Sequence, residues 1–342
     1  MYWLGLISFT LVGAALMSGA FVYYRRRWPL ENKTRHLLEN ITLALLGLFF
    51  IFIGLELFFK LFFAQTDSYT FTLAAQNWYS RHWNPINSLG YRDQEWLNAD
   101  VANKTKVMVV GDSFVAGTGI ENYQDRFSDQ LAKMLGPDYV VFNVSAPGWS
   151  TQDEIEAVIS YPYKPDILIL SYFINDIEKT AYAQGVNRPQ FVRRPAGIGG
   201  FLIDNSYALN FIYWRWFRLT QPVQYPTYLE WTNSLYQNPE LWWRHQQELL
   251  EIISGAAAEN IELYAVVFPN LADIETSQSA VQMVIDFFQG QGVPVLNVTP
   301  MLAGRSRSEI VANALDPHPN KQVNLEVAER LYQMIVEHQA EK

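Results

Sequence analysis

The chain has 342 residues, 49% hydrophobic and 15% aromatic but only 17% charged, which allows two folded units and is too apolar for a disordered tail. With 25 Lys and Arg against 34 Asp and Glu, net -9, it lacks the basic footprint of a nucleic-acid binder, and no nucleic-acid partner is expected. It contains no Cys, which removes disulfides, thiolate nucleophiles and zinc knuckles, and its five His form no HExxH pair, so neither a metal nor another cofactor is expected.

The chain opens on Tyr2 to Tyr24 without a charged residue. As a helix this run would reach roughly 34 Å, enough to cross a bilayer core. A second apolar run goes from Ile41 to Phe63, and between the two stand Arg25, Arg26, Arg27, Lys33 and Arg35 against only Glu31 and Glu39. Positive charge marks the cytoplasmic side, so both outer ends of this hairpin face away from the cytoplasm, and everything after about Gln65 lies outside it. Tyr2, Trp3, Tyr23, Tyr24 and Trp28 stand where interfacial aromatic belts form. The small residues Ser18, Gly19 and Ala20 also suit a cleaved signal peptide. Such a peptide carries its charge before the apolar stretch rather than after it, which favours a retained helix. Glu56 and Lys60, one turn apart, read as a local pair near the outer interface rather than as a functional contact inside the membrane. Residues 1–66 form this transmembrane hairpin and hold six basic and three acidic side chains, net +3, which leaves -12 for residues 67–342.

A connecting segment, 67–103, leads to a domain over 104–342. Short apolar runs at Lys106 to Val110, Tyr139 to Val144, Ile167 to Tyr172, Ile261 to Phe268 and Val293 to Val298 alternate with helical patterns, as parallel strands covered by helices do. Thr151 with Glu154 reads as a capping box, Asn238 and Pro239 as an N-cap and first helical position, and Val323 to His338 as the last helix. The expected fold is a three-layer α/β/α sandwich on a mostly parallel five-stranded sheet, with ligands at the carboxyl ends of the strands. An aromatic-rich insertion, about 180–236, breaks this rhythm. Leu209, Ile212, Tyr213, Trp216 and Phe217 recur there at helical spacing, with Phe211 and Trp214 on other faces; it reads as a lid, a membrane contact or packed core.

The first strand runs into Gly111-Asp112-Ser113. A Ser just past a strand end that opens a helix has its hydroxyl in the cleft and its own N–H free, a nucleophile combined with an oxyanion donor. Of the five His, His36, His245 and His338 read as structural or solvated and His82, before the sheet begins, stays open as a base; His318 follows the fifth strand in a Pro-stiffened loop with Asp316 two residues upstream, a carboxylate able to fix the imidazole tautomer. After the second strand Gly148 can bring a backbone N–H near a ligand, and after the third the amide of Asn175 can donate another hydrogen bond. Gly117-Thr118-Gly119 lacks the third Gly of a dinucleotide fingerprint, and no P-loop or Gly-x-Ser-x-Gly elbow is present.

With these motifs the chain resembles the SGNH, or GDSL-type, hydrolase and esterase family over about residues 104 to 340. The family's four blocks look like Ser113, Gly148, Asn175 and His318, in the family's order, and Asn87 to Asp93 looks like a segment of membrane-anchored members. Two positions depart from the pattern. Phe173 stands where the third block usually has Gly, and Asp316 precedes His318 by two residues rather than three, with Leu315 at the usual place. Either Asp316 orients His318, or a backbone carbonyl does so and Ser113 acts with His318 as a dyad.

The resemblance implies a flavodoxin-like fold and a membrane-anchored serine esterase. His318 would take the proton of Ser113, and the N–H groups of Ser113 and Gly148 and the amide of Asn175 would hold the oxyanion. Its expected partners are an acyl-ester substrate, glycan or lipid, and the bilayer that holds the two spans. The alternatives are an O-acyltransferase acting on an envelope polysaccharide and a non-catalytic envelope binding subunit that keeps the fold.

Overall fold

A computed structural model describes residues 2–29, 32–67, 70–189, 192, 194–220 and 224–340. The side chains of Tyr2 and Trp3, and Glu31 as a whole, lie outside the described residues. The chain begins with helices α1 (Tyr2–Arg27), α2 (Lys33–Leu61), α3 (Leu73–His82) and α4 (Asn98–Val101). Then come β1 (Thr105–Gly111), α5 (Ser113–Ala116), α6 (Phe127–Leu135), β2 (Tyr139–Ser145), α7 (Thr151–Ser160) and β3 (Ile167–Phe173). Four helices follow, α8 (Glu178–Ala183), α9 (Gly197–Asn205), α10 (Tyr207–Thr220) and α11 (Gln224–Gln237), before α12 (Pro239–Ala258) and β4 (Glu262–Phe268). The chain closes with α13 (Ile274–Gly290), β5 (Val295–Asn297), α14 (Arg307–Ile310), β6 (Val311–Asn313), β7 (Asp316–Pro319) and α15 (Lys321–Ala340).

The chain separates into two compact units. The first comprises Met1–Ala64, Phe71–Asn77 and Arg194–Arg218. Gly5–Arg27 of α1 and the whole of α2 are long and apolar enough to cross a membrane, with side chains such as Leu16, Leu48 and Ile51 exposed along them. The basic residues expected in a loop belong to the helices instead: Arg25 to Arg27 end α1, and Lys33 and Arg35 begin α2. Pro29 has no N–H to continue a helical ladder beyond α1, and Asn32, whose side chain accepts from the Arg35 N–H at 3.2 Å, caps α2.

Glu56 and Lys60, expected as a local pair, both also reach α10. The Glu56 carboxylate accepts from Ser206 Oγ (2.8 Å), Tyr207 N (2.9 Å) and Ala208 N (2.9 Å), and Lys60 Nζ donates to the Tyr207 hydroxyl at 3.2 Å. First-turn N–H groups have no helical partner, so the carboxylate of Glu56 supplies acceptors that the start of α10 otherwise lacks. On α10 the buried face carries Ala208, Asn210 and Trp214, while Ile212 and Trp216 are exposed. Trp214 packs edge-on against Phe71 (5.0 Å) and Phe217 (5.3 Å), so it is a packing residue. Helical spacing finds a stripe but does not say which of two apolar stripes turns inward.

The second unit comprises Gln65–Thr70, Trp78–Arg193 and Leu219–Lys342. Its sheet has the order β2-β1-β3-β4-β5, and every pair is parallel. This is the doubly wound flavodoxin-like order, a three-layer sandwich with helices on both faces. Val107 to Val110 and Ile167 to Leu170 are almost wholly buried, as strands covered on both faces must be. The chain leaves β1 toward β2 on one side and returns to β3 on the other, so the crevice at the carboxyl ends of β1 and β3 is the switch point where this topology presents ligands.

Two local expectations shift and one holds. α7 is capped one residue earlier, with Ser150 at the N-cap receiving Asp153 on its N–H (3.0 Å), and Glu154 turns inward to complete burial. The acid directly on the orphan N–H wins the cap, and the next one falls on the inner face. The helix after Asn238 is capped as expected, its side chain accepting from Glu240 N and Leu241 N. His318 lies not in an irregular loop but on β7, which pairs antiparallel with β6 in a small second sheet. Two prolines do not prevent this, because a two-stranded ribbon leaves edge positions that need no N–H.

Candidate active site

Ser113 stands half-buried at the carboxyl end of β1, as the first residue of the one-turn helix α5. Asp112 caps that turn, accepting from Phe114 N at 2.9 Å, and the N–H groups of Gly117 and Thr118 close it onto the Ser113 carbonyl at 3.1 and 3.0 Å. The segment Asn87 to Asp93 holds this turn through Arg92. The buried Arg92 guanidinium donates to the carbonyls of Ala116 (3.1 Å), Gly117 (2.7 Å), Ile120 (2.8 Å) and His82 (2.6 Å), and it lies over the Trp83 ring. Burial, with the nearby Arg126 charge, lowers its pKa to about 9, still cationic at neutral pH. Asp93 beside it accepts from Asn143 N (3.1 Å) and Trp96 Nε1 (2.9 Å), and burial raises its pKa to about 6.

His318 Nε2 is 2.8 Å from Ser113 Oγ, and His318 Nδ1 is hydrogen-bonded to Asp316 Oδ1. A carboxylate can only accept from Nδ1, so that nitrogen carries the proton and Nε2 is left to accept from the serine hydroxyl. The short spacing is explained by β7: in an extended strand residues i and i+2 project from the same face, so Asp316 and His318 meet without an additional residue. Asn324 anchors this strand, donating to the Pro319 carbonyl (3.1 Å) and accepting from Phe127 N (3.0 Å).

Asp316 is fully buried. Burial alone would raise its pKa, but the His318 charge and hydrogen bond, with the Thr66 hydroxyl, outweigh it and hold the carboxyl below its ordinary value. Burial likewise opposes protonation of His318, and is outweighed by the charge and hydrogen bond of Asp316 and the charge of Asp112, so the imidazole is more basic than usual. Gly119, at φ 85°, belongs to this arrangement: a Cβ there would sit 2.5 Å from the Ala312 Cβ and 3.1 Å from Asp316 Oδ2. The Gly-Thr-Gly stretch that fails as a dinucleotide motif makes room for the acid.

One oxygen of Asp112 accepts from Asn175 Nδ2 (3.3 Å) and lies 3.4 Å from Ser113 Oγ, whose proton goes to His318, which brings the amide alongside the hydroxyl. Asn175 follows β3 in a turn fixed by Asp176, whose carboxylate accepts from Phe173 N at 3.0 Å. Gly148, at φ 81°, occupies the turn Ala146-Pro147-Gly148-Trp149, closed by Trp149 N on the Ala146 carbonyl at 3.3 Å. Pro then Gly at the two central positions is the type II signature, so this glycine's conformation is required by the turn. Phe173 stacks on Phe114 at 4.4 Å, and Phe114 also packs against Phe268 (5.1 Å) and the His318 ring (5.2 Å), giving the site an aromatic wall. Behind it, Asp112, Glu154 and Asp176 are buried together. Burial, reinforced by their mutual repulsion, pushes Glu154 and Asp176 well above the ordinary carboxyl value.

Chemically, this geometry can move a proton from Ser113 to His318 while Asp316 stabilises the imidazolium, and it sets two donors, Ser113 N–H and Asn175 Nδ2, beside the hydroxyl. Sequence reasoning did not single out Asp112, Arg92, Gly119, Asn324 or Glu154 for this site. Asp112 was within reach as part of the Gly-Asp-Ser tripeptide; the others carry no local signal.

No family model matches this chain, and no curated protein matches it. Solved structures similar to it include a psychrotrophic esterase from a Pseudoalteromonas species, at 12% identity over 69% of this chain and 100% of that one, TM-score 0.41. A carbohydrate acetylesterase from Sinorhizobium meliloti matches at 12% identity over 68% of this chain and 99% of that one, TM-score 0.38. A member of the lipolytic protein G-D-S-L family from Veillonella parvula matches at 12% over 67% and 97%, TM-score 0.37.

Proposed function

We propose that this protein is a membrane-anchored serine esterase of SGNH type, with its catalytic domain outside the cytoplasm. The observation that carries the reading is the hydrogen-bonded line from Ser113 Oγ through His318 to Asp316 at the switch point of the sheet. His318 takes the proton as Ser113 attacks an ester carbonyl. The N–H of Ser113 and the amide of Asn175 hold the developing oxyanion, with Gly148 N–H as the third donor. The imidazolium protonates the leaving alcohol, and water, activated by the same imidazole, releases the acyl group from Ser113. The aromatic wall of Phe114, Phe173 and Phe268 favours short acyl groups, because it fills the space behind the nucleophile.

The test uses the full chain in detergent, with short-chain aryl esters, acetylated glycans and a fluorophosphonate probe. Ser113→Ala should abolish both hydrolysis and labelling. Equal hydrolysis by that variant, or labelling elsewhere, would overturn the assignment. Product analysis with a glycan acceptor separates hydrolysis from acyl transfer.

A further inference from the structure

Exposed apolar surface in the first unit extends beyond α1 and α2. Ile198, Phe201 and Leu202 of α9 and Ile212 and Trp216 of α10 are also exposed. Of these two helices α10 packs on α2, and its Asn210 Nδ2 donates to the Ile203 carbonyl of α9 at 3.1 Å. Phe211 stacks on Phe59 at 4.1 Å and meets Phe63 edge-on at 5.1 Å, and Glu56, only 2% exposed, accepts the three donors at the start of α10. A carboxylate so far from water is costly unless its lone pairs are occupied, and here an unpaired helix start occupies them. The Asn77 amide, donating to the carbonyls of Phe59, Lys60 and Phe63, closes the end of α2. Asn210 Oδ1 accepts from Leu73 N, which ties α10 into the same unit.

Glu56 lies five residues before the end of α2, about 8 Å along the axis, and interfacial helices bury their apolar face by about 5–10 Å. The side chains nearby have the composition of a headgroup boundary: Lys60 lies over the Tyr207 ring, Arg215 over the Phe211 ring, and Tyr213 and Trp216 follow on α10. Because α10 packs on the terminal turns of a span, lipid that surrounds α2 also reaches α9 and α10. We propose that α9 and α10 are a third membrane-contacting element, lying in the outer headgroup and acyl-chain boundary with Phe201 and Trp216 turned into lipid and Glu56 clamping them to α2. The occupant of this surface is the bilayer, and the inference rests on the membrane reading of the two spans.

The absence of Cys makes the test direct. Phe201→Cys, Trp216→Cys, Leu48→Cys in α2 and Glu251→Cys on the exposed side of α12 are spin-labelled in the full chain and reconstituted in phosphatidylcholine vesicles. Each label's accessibility to oxygen, which concentrates in lipid, is compared with its accessibility to a water-soluble nickel chelate. Labels at 201 and 216 should match position 48 and exceed position 251 several-fold in their oxygen-to-nickel ratio. Glu56→Ala should return both toward water. A water-like ratio at 201 and 216 with a lipid-like ratio at 48 overturns the inference and leaves the anchoring intact. Low accessibility to both reagents overturns it in favour of a protein partner or second copy, and an unchanged signal in Glu56→Ala removes the clamp. A water-like label at 48 overturns the anchoring itself, and the inference with it.

Discussion

At the scale of single residues, the charge of Asp316 is what makes His318 a stronger base than its burial would allow. A general base works unprotonated, so activity should fall as pH drops through the raised imidazole pKa, placing the acid limb of kcat/KM above the ordinary His value of about 6.5. In Asp316→Asn the limb should move to lower pH, since the charge that holds the pKa up is gone, and kcat should fall by about 1000- to 10 000-fold. A pH profile of the two proteins measures both effects. Asn175→Ala should cost about 100- to 1000-fold in kcat, with the melting temperature close to wild type, because one oxyanion donor is lost from a half-buried turn. A near-normal rate would remove Asn175 from the mechanism.

At the scale of elements, the one-turn helix α5 is too short to hold itself, since it has few internal hydrogen bonds to set against its ordering entropy. Its position depends on Asp112 at the start and on Arg92 at the carbonyls that follow. Arg92→Met should strand several buried carbonyls and destabilise the protein by at least about 3 kcal/mol, read from urea unfolding midpoints. Arg92→Lys should recover little, because an ammonium cannot spread its donors across four carbonyls as a planar guanidinium does. Strand β7 shows the same dependence from the other side: its extended backbone lets a two-residue spacing serve where the resemblance led one to expect three.

For the whole molecule, the net charge of -9 conceals +3 on residues 1–66 and -12 on the remainder, and part of that acidity is buried. The folded-state pKa values of Glu154 and Asp176 are raised by burial first and by neighbouring carboxyls second. The native state therefore binds more protons than the unfolded chain. Its stability is fully present below the ordinary carboxyl value and is lost as pH rises toward the folded pKa. Neither oxygen of Glu154 has a hydrogen-bond partner among the described residues. Glu154→Gln, neutral at every pH, should raise the melting temperature at pH 8 and leave it nearly unchanged at pH 4; an equal shift at both would mean that burial of the charge is not the cause.

By itself the sequence determined what rests on local pattern. The apolar runs and the basic residues between them mark the two candidate spans, alternating strand and helix periods mark the doubly wound sheet, and Gly-Asp-Ser and Asn-Asp fall at the carboxyl ends of β1 and β3. These follow from hydrophobic periodicity and from the few residue types able to act as nucleophile and base. Only the tertiary structure decided which residues support them. Arg92 meets carbonyls 24 to 28 residues away, and Gly119 is required by the approach of Asp316. Glu56 finds its partners 150 to 152 residues along the chain, on a helix whose inward face its own periodicity left undecided. Such pairings depend on which surfaces meet once the core has formed, and no spacing along the chain encodes them.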